Sequence, residues 1–146
     1  MHRRAAVSCV KPINIKKNIK VYVVAYRKVN GKYKKITSSI TAHIVGSGSK
    51  KYSNVKSIQL ESTKLTLSLD DNTAAPSSYT LNPVAVLKDS SKKMLLHTVE
   101  FRYATSNSSV ATVGKDGTIT AKGKGTCYVY VYAQNGYAKK IKVTVK

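Results

Sequence analysis

Strict alternation of apolar and polar residues marks the C-terminal part of the chain. The segments 118–121, 126–133 and 138–145 alternate with period two, and glycine-containing turns separate them. This period is typical of strands that bury one face, whereas a helix repeats every 3.6 residues. The pattern predicts three consecutive antiparallel strands, which share a buried side formed by Ile119, Ala121, Val129, Val131, Ile141, Val143 and Val145.

Shorter strand-like runs precede this region, and no amphipathic helix is predicted. They cover residues 55–60, 64–69, 79–87, 99–104 and 110–113, with turn-forming residues between them. Leu65, Leu67 and Leu69 are expected to share a face. Pro83 requires a bulge or an edge position, because proline has no N–H to donate to a neighbouring strand. A series of short strands of this kind predicts an all-β sandwich.

A separate hairpin is predicted over residues 15–45. Asn30-Gly31 lies between two β-prone runs, and this pair favours a tight hairpin turn because both residues accept positive φ. A lone two-stranded hairpin is marginally stable in water. We therefore expect it to lean on the domain that follows or on a neighbouring chain, across a polar linker at residues 48–53.

The chain is strongly basic, with a net charge of +20 from 26 basic and 6 acidic residues. Residues 1–47 hold 11 of the basic residues and no acidic one. Such a field attracts nucleic acid, anionic lipid and the phosphate-rich polymers of a bacterial envelope alike. Charge alone leaves the choice among them open.

Two segments carry a resemblance to a known family. The first runs from Tyr103 through a Ser-rich turn to Val110-Ala111-Thr112-Val113, and the second runs from Asp116-Gly117 to Thr126, followed by an alternating strand and Val143-Thr144-Val145. With these segments, residues 54–146 resemble the group 2 bacterial immunoglobulin-like domain. That family often has Trp where this chain has Tyr103, and the chain contains no Trp. The resemblance implies an immunoglobulin-like β-sandwich with the N-terminal hairpin appended to it.

The hairpin has a resemblance of its own. Val21-x-Val23-x-Ala25-Tyr26 and then Asn30-Gly31-Lys32 is similar to the last hairpin of a fibronectin type III domain. This implies that residues 1–47 are a partial domain, 48–53 a linker and 54–146 the immunoglobulin-like domain of a longer tandem-module protein. Both families imply spacers, adhesive units or carriers in secreted or surface-attached bacterial proteins, with neighbouring modules of the same polypeptide as partners.

One candidate binding site is a row of tyrosines. Tyr128, Tyr130 and Tyr132 alternate with residues of the buried side, so they are expected on the opposite face of the sheet, near Tyr137, Lys140 and Lys142. Aromatic rings with nearby donors can bind sugar rings or a protein partner. Cross-strand pairing that stiffens a solvent-facing sheet is the alternative, and it stays open.

A second candidate site is the basic run of the hairpin, where Tyr22, Tyr26 and Tyr33 are interleaved with cations. Polyanion binding is one interpretation, and protection of exposed strand edges by lysine is the other. The cations are Lys16, Lys17, Lys20, Arg27, Lys28, Lys32, Lys34 and Lys35.

The sequence contains no motif for catalysis, and no spacing of metal ligands or phosphate-binding glycines. We therefore expect no enzyme, no metal site and no cofactor. Cys127 is expected to be buried as a small apolar residue, and whether it pairs with Cys9 stays open. No segment has the length of a membrane span or a secretory signal, so an export signal is expected outside this chain.

These observations favour a non-catalytic module of a secreted or cell-surface bacterial protein. It would serve as a spacer, or as an adhesion domain for a glycan, an anionic cell-wall polymer or a host surface protein. The alternative is a small basic intracellular protein that binds nucleic acid without sequence specificity.

Overall fold

The computed structural model describes residues 12–70, 73–96 and 99–146. These residues form strands and turns and no helix, so the chain is all-β, as predicted. The strands are β1 (Ile19–Val21), β2 (Val24–Val29), β3 (Lys32–Ser38), β4 (Ala42–Ile44), β5 (Tyr52–Ser53), β6 (Val55–Gln59), β7 (Lys64–Leu67), β8 (Ser78–Thr80), β9 (Val84–Leu87), β10 (Lys93–Met94), β11 (Phe101–Thr105), β12 (Ala111–Val113), β13 (Thr118–Ala121), β14 (Gly125–Ala133) and β15 (Ala138–Val145).

Strands β1 to β4 form the expected hairpin, which we call the basic ribbon (residues 19–44). Strand β1 pairs antiparallel with β4, and β2 pairs antiparallel with β3. At the tip, Asn30 and Gly31 have φ angles of 49° and 77°, as a tight hairpin turn requires. The hairpin is interrupted beside Val23, whose N–H donates to the Ser39 hydroxyl at 2.9 Å. Two short pairings therefore replace the continuous pairing that was predicted.

The remaining strands form an immunoglobulin-like sandwich. One sheet has four strands in the order β11-β14-β15-β7, and only the pair of β15 with β7 is parallel. The others are a three-stranded sheet, β12-β13-β8, and two two-stranded sheets, β6-β9 and β10-β5. Side chains from the four-stranded, the three-stranded and the β6-β9 sheets meet in one apolar core.

This core confirms the buried side that the sequence predicts. Burying a Val, Leu or Ile side chain stabilises the fold by about 1.5–3 kcal/mol, so the seven predicted residues anchor the sandwich. All seven are at most 9% exposed: Ile119, Ala121, Val129, Val131, Ile141, Val143 and Val145. Cys127 joins them at 2% exposure, as expected, whereas Cys9 lies outside the described residues.

Two predictions about strands were wrong. The segment 79–87 is not one strand, because β8 pairs with β13 whereas β9 pairs with β6. Pro83 lies between the two strands, where its missing N–H costs no hydrogen bond. Leu69 does not share a buried face with Leu65 and Leu67, because β7 ends at Leu67 and the Leu69 side chain is 44% exposed.

Hydrogen bonds join the base of the basic ribbon to the sandwich. The Asn54 side chain accepts from the Val45 N–H at 2.9 Å and donates to the Val45 carbonyl at 2.7 Å. The His43 N–H donates to the Gln134 carbonyl at 2.7 Å. Within the predicted linker, Tyr52–Ser53 forms β5, which pairs in parallel with β10. The division of the chain at residues 47 and 54 stays a prediction.

Candidate functional site

The outer side of the four-stranded sheet carries the predicted row of tyrosines. Because β14 buries Val129 and Val131, its alternation turns the tyrosines between them outward. In the register of β14 with β15, Tyr128 lies opposite Lys142 and Tyr130 opposite Lys140. We call this surface the donor face, and it consists of Lys64, Tyr128, Tyr130, Tyr132, Lys140 and Lys142.

The tyrosine rings of the donor face are engaged with their neighbours. The Tyr130 and Tyr132 rings are stacked, with centroids 6.1 Å apart and planes 25° from parallel. The Lys140 Nζ lies 4.6 Å from the centroid of the Tyr128 ring, within the range of a cation–π contact. Each of the three rings therefore has one face against a neighbour, and phenol hydroxyls and ammonium groups lie side by side along the row.

The electrostatics of the donor face favour anionic ligands. Burial, and next the adjacent Tyr130, raises the pKa of the Tyr132 phenol above its ordinary value of 10.0, so this hydroxyl keeps its proton at neutral pH. The outward positions of the four strands carry Thr, Tyr, Lys, Ala and Arg, and no carboxylate. Protonated hydroxyls and ammonium groups are hydrogen-bond donors, so the complementary ligand offers acceptor oxygens with negative charge.

Sequence reasoning missed two cations at this sheet. Lys64 lies opposite Lys142 through the parallel pairing of β7 with β15. No local sequence pattern predicts that two segments so far apart in the chain will pair. Arg102 lies opposite Tyr132 in β11. Its guanidinium is already engaged, donating to the Thr41 carbonyl at 2.6 Å and to the Ala133 carbonyl at 3.2 Å.

Tyr137 is not brought to the donor face with the other predicted residues. It precedes β15, one residue before Ala138, which lies opposite Tyr132. Its carbonyl accepts from the Ala133 N–H at 2.9 Å. The Tyr137 backbone is therefore aligned with the buried Ala133 and not with an outward-facing residue of β14. The Tyr137 side chain is 39% exposed beside the turn, apart from the row of tyrosines.

The second predicted site, the basic run, belongs to the ribbon and the turn before it. All eight cations are exposed. Lys16 and Lys17 precede β1 and Lys20 lies in it, whereas the other five lie along β2 and β3. The register places Arg27 opposite Lys34 on one side of β2–β3. On the other side it places Tyr26 opposite Lys35 and Lys28 opposite Tyr33. Cations therefore cover both sides of the ribbon.

Metal ligands are not clustered in the part of the chain that the structure describes. Among residues 12–70, 73–96 and 99–146, no group of three His, Cys, Asp or Glu side chains could hold a metal ion. Over the same ranges, no helix has the length and apolar character that crossing a membrane requires.

Comparison with known proteins gives one family match. Residues 89–145 match the family described as hyaluronate lyase, N-terminal beta-sheet domain; the match is to a β-sheet domain and not to a catalytic domain. A search of curated proteins found no match. Among solved structures, the chain is similar to surface layer protein SbsC, domains 1–6, with 22% identity and a TM-score of 0.41. The similarity covers 88% of this chain and 22% of that one, so this chain spans less than a quarter of its length.

Proposed function

We propose that the chain is a non-catalytic module of a secreted or cell-surface bacterial protein, and that its donor face binds an anionic polysaccharide or envelope polymer. The observation that carries the proposal is a row of tyrosine hydroxyls and lysine ammonium groups on one rigid sheet, with no carboxylate at the outward positions. A rigid sheet holds its donors at fixed spacing, so little ordering free energy is lost on binding.

The ring contacts favour one of two classes of glycan. A neutral sugar is held largely by stacking on an open aromatic face, but Tyr130 and Tyr132 face each other and Tyr128 faces the Lys140 ammonium. Carboxylate, sulfate or phosphate oxygens would instead accept hydrogen bonds from the hydroxyls and ammonium groups that remain exposed. An anionic polymer is therefore the expected ligand class.

The family match supports the same class of ligand and a supporting role. Hyaluronate is a polysaccharide that carries carboxylates, and the matched region is described as an N-terminal beta-sheet domain of the lyase. Such a domain would hold a polymer beside a catalytic domain without acting on it. Hyaluronate is accordingly the first polymer to test, and location outside the cell is part of the proposal.

Affinity electrophoresis with hyaluronate and with uncharged dextran, at low and at physiological ionic strength, tests the proposal. We expect hyaluronate to retard the protein and dextran to leave it unaffected. The double variant Lys140→Gln with Lys142→Gln should lose roughly tenfold in affinity, since each exposed ionic contact contributes about 0.2–1 kcal/mol. The matched control is Lys32→Gln with Lys34→Gln, which removes the same charge from the ribbon and should bind nearly as well as the parent.

A further variant separates binding from a structural role of the tyrosines. Tyr130→Thr with Tyr132→Thr should weaken binding to hyaluronate while lowering the free energy of unfolding by no more than about 1 kcal/mol, the value of a cross-strand pair. A larger loss of stability, together with equal retardation of both double-lysine variants, would contradict the proposal. It would instead favour a spacer whose tyrosines stiffen the sheet.

A further inference from the structure

The basic ribbon keeps large apolar side chains in solvent beyond its base. Every residue of β3 is exposed, and so are residues 25–28 of β2. Tyr33 is 73% exposed, Val23 is 67% exposed, Ile36 is 61% exposed and Tyr26 is 58% exposed. Neither side of this part of the ribbon packs on the sandwich, so these groups are available to a partner.

Cations are interleaved with the apolar side chains, and the ribbon itself contains no acidic residue. Tyr26 lies opposite Lys35 and Tyr33 opposite Lys28. The first acidic residue of the chain is Glu61, so no strand of the ribbon contains a carboxylate side chain. The partner must therefore offer negative charge together with an environment that accepts aliphatic groups.

Exposed cations together with exposed apolar side chains favour one kind of negatively charged partner over the others. A soluble polyanion would use the lysines but gains nothing from Val23 or Ile36. A single-stranded nucleic acid would stack on Tyr26 and Tyr33 and leaves the aliphatic groups without a role. A second copy of the chain would bring like charges together, which is unfavourable. An anionic lipid bilayer accepts both kinds of group, because its headgroups attract cations and its interface takes up tyrosine and aliphatic side chains.

We propose that the basic ribbon is a peripheral binding element for an anionic lipid bilayer. Tyr26, Tyr33 and Ile36 enter the interfacial zone, while Lys28 and Lys35, which share a side of β2–β3 with the two tyrosines, contact the headgroups with their ammonium groups. The ribbon is tied at its base to the sandwich through Asn54, so its binding brings the sandwich to the membrane surface. The donor face lies on a different sheet, so the inference does not depend on what that face binds.

A tryptophan reporter tests this directly, because the chain has no Trp of its own. The Tyr33→Trp variant should show a blue shift of its emission, and quenching by a lipid-borne quencher, with vesicles of phosphatidylcholine and phosphatidylglycerol. Vesicles of phosphatidylcholine alone should produce neither change. The matched control is Leu69→Trp, whose site on the sandwich is 44% exposed and whose emission should stay unchanged with both kinds of vesicle.

Sedimentation with the same vesicles measures the contributions of charge and of apolar contact. Lys28→Gln with Lys35→Gln should lower the partition coefficient roughly 25-fold, at about fivefold for each cation near an anionic surface. Val23→Ser with Ile36→Ser should lower it roughly tenfold. Both pairs are exposed, and circular dichroism should confirm that the sandwich stays folded in each variant.

Three results would overturn the inference. One is binding that disappears at about 0.15 M salt without any blue shift, which is the behaviour of simple adsorption of a polycation. Another is protection of the Tyr33→Trp reporter from a soluble quencher by single-stranded oligonucleotide in place of vesicles. The third is a dimer in sedimentation velocity that already shields this reporter in the absence of lipid.

Discussion

The Arg102 guanidinium donates to the Thr41 carbonyl at 2.6 Å, across 61 residues of chain, and so joins the four-stranded sheet to the base of the basic ribbon. The same group donates to the Ala133 carbonyl at 3.2 Å. Burial lowers the pKa of Arg102 below its ordinary value, although the group stays charged at neutral pH. One side chain thus ties together both candidate surfaces of the protein.

Replacing Arg102 by Gln should loosen the ribbon. We expect the free energy of unfolding to fall by about 1–2 kcal/mol, because hydrogen bonds from a charged donor to two carbonyls are lost. Hydrogen exchange at residues 42–44 should become faster than in the parent. The control Lys20→Gln removes an exposed charge from the same part of the ribbon and should change neither quantity. Unchanged exchange in the Arg102 variant would mean that the hydrogen bonds of Asn54 and His43 hold the ribbon in place without Arg102.

Gly117 lies in the turn before β13 with a φ of 86°, and a Cβ there would come 2.9 Å from the Tyr103 hydroxyl oxygen. Gly117→Ala should therefore lower the free energy of unfolding by about 2–3 kcal/mol, through left-handed backbone strain and through displacement of the Tyr103 ring. Urea denaturation followed by circular dichroism measures the change.

The ribbon offers a matched control for this substitution. Gly31 has a φ of 77°, and a Cβ added there would have open space around it, with no contact within 4 Å beyond the adjoining residues of the chain. Gly31→Ala therefore meets the backbone strain alone, about 1–2 kcal/mol. The difference between the two variants isolates the contact with Tyr103. Equal losses of stability would contradict the idea that the Tyr103 ring is packed tightly over the turn at Gly117.

Local patterns explain what the sequence could predict. Strands β13, β14 and β15 are joined by short turns, so their alternation alone sets which side is buried and places Tyr128 and Lys140 on the opposite side. The Asn30-Gly31 turn is equally local. Contacts between distant segments escaped prediction: the parallel pairing that brings Lys64 to the donor face, and the reach of Arg102 to Thr41. Neither contact has a periodic signal, because each depends on how whole segments come together in space.

The ammonium of Lys140 over the Tyr128 ring predicts a small and specific contribution to stability. Lys140→Met should lower the free energy of unfolding by about 0.5–1 kcal/mol, the value of an exposed cation–π contact. Lys142→Met is the matched control, since Lys142 lies on the same face and its ammonium makes no ring contact among the described residues. Thermal or urea denaturation measures both. A Lys142 variant as destabilised as the Lys140 variant would argue for a general effect of charge instead.

Acid should affect this protein only gently, because it has just six acidic residues. Hydrogen bonds from the Thr118 hydroxyl and N–H hold the pKa of Asp116 below its ordinary value of 3.8. A lowered pKa in the folded state stabilises the fold above pH 3.8, and this stabilisation is lost as the pH falls through the folded-state pKa.

Urea midpoints measured over a pH series should therefore show Asp116→Asn to be less stable than the parent at neutral pH, with the difference shrinking below pH 3.8. In a protein that already carries Asp89→Asn, adding Asp116→Asn should cause the same loss of stability. The Asp89 carboxylate forms its hydrogen bonds with Ser91 and Lys92, in another turn. A constant gap between parent and Asp116→Asn across the series would show that the carboxylate charge is not what stabilises the turn.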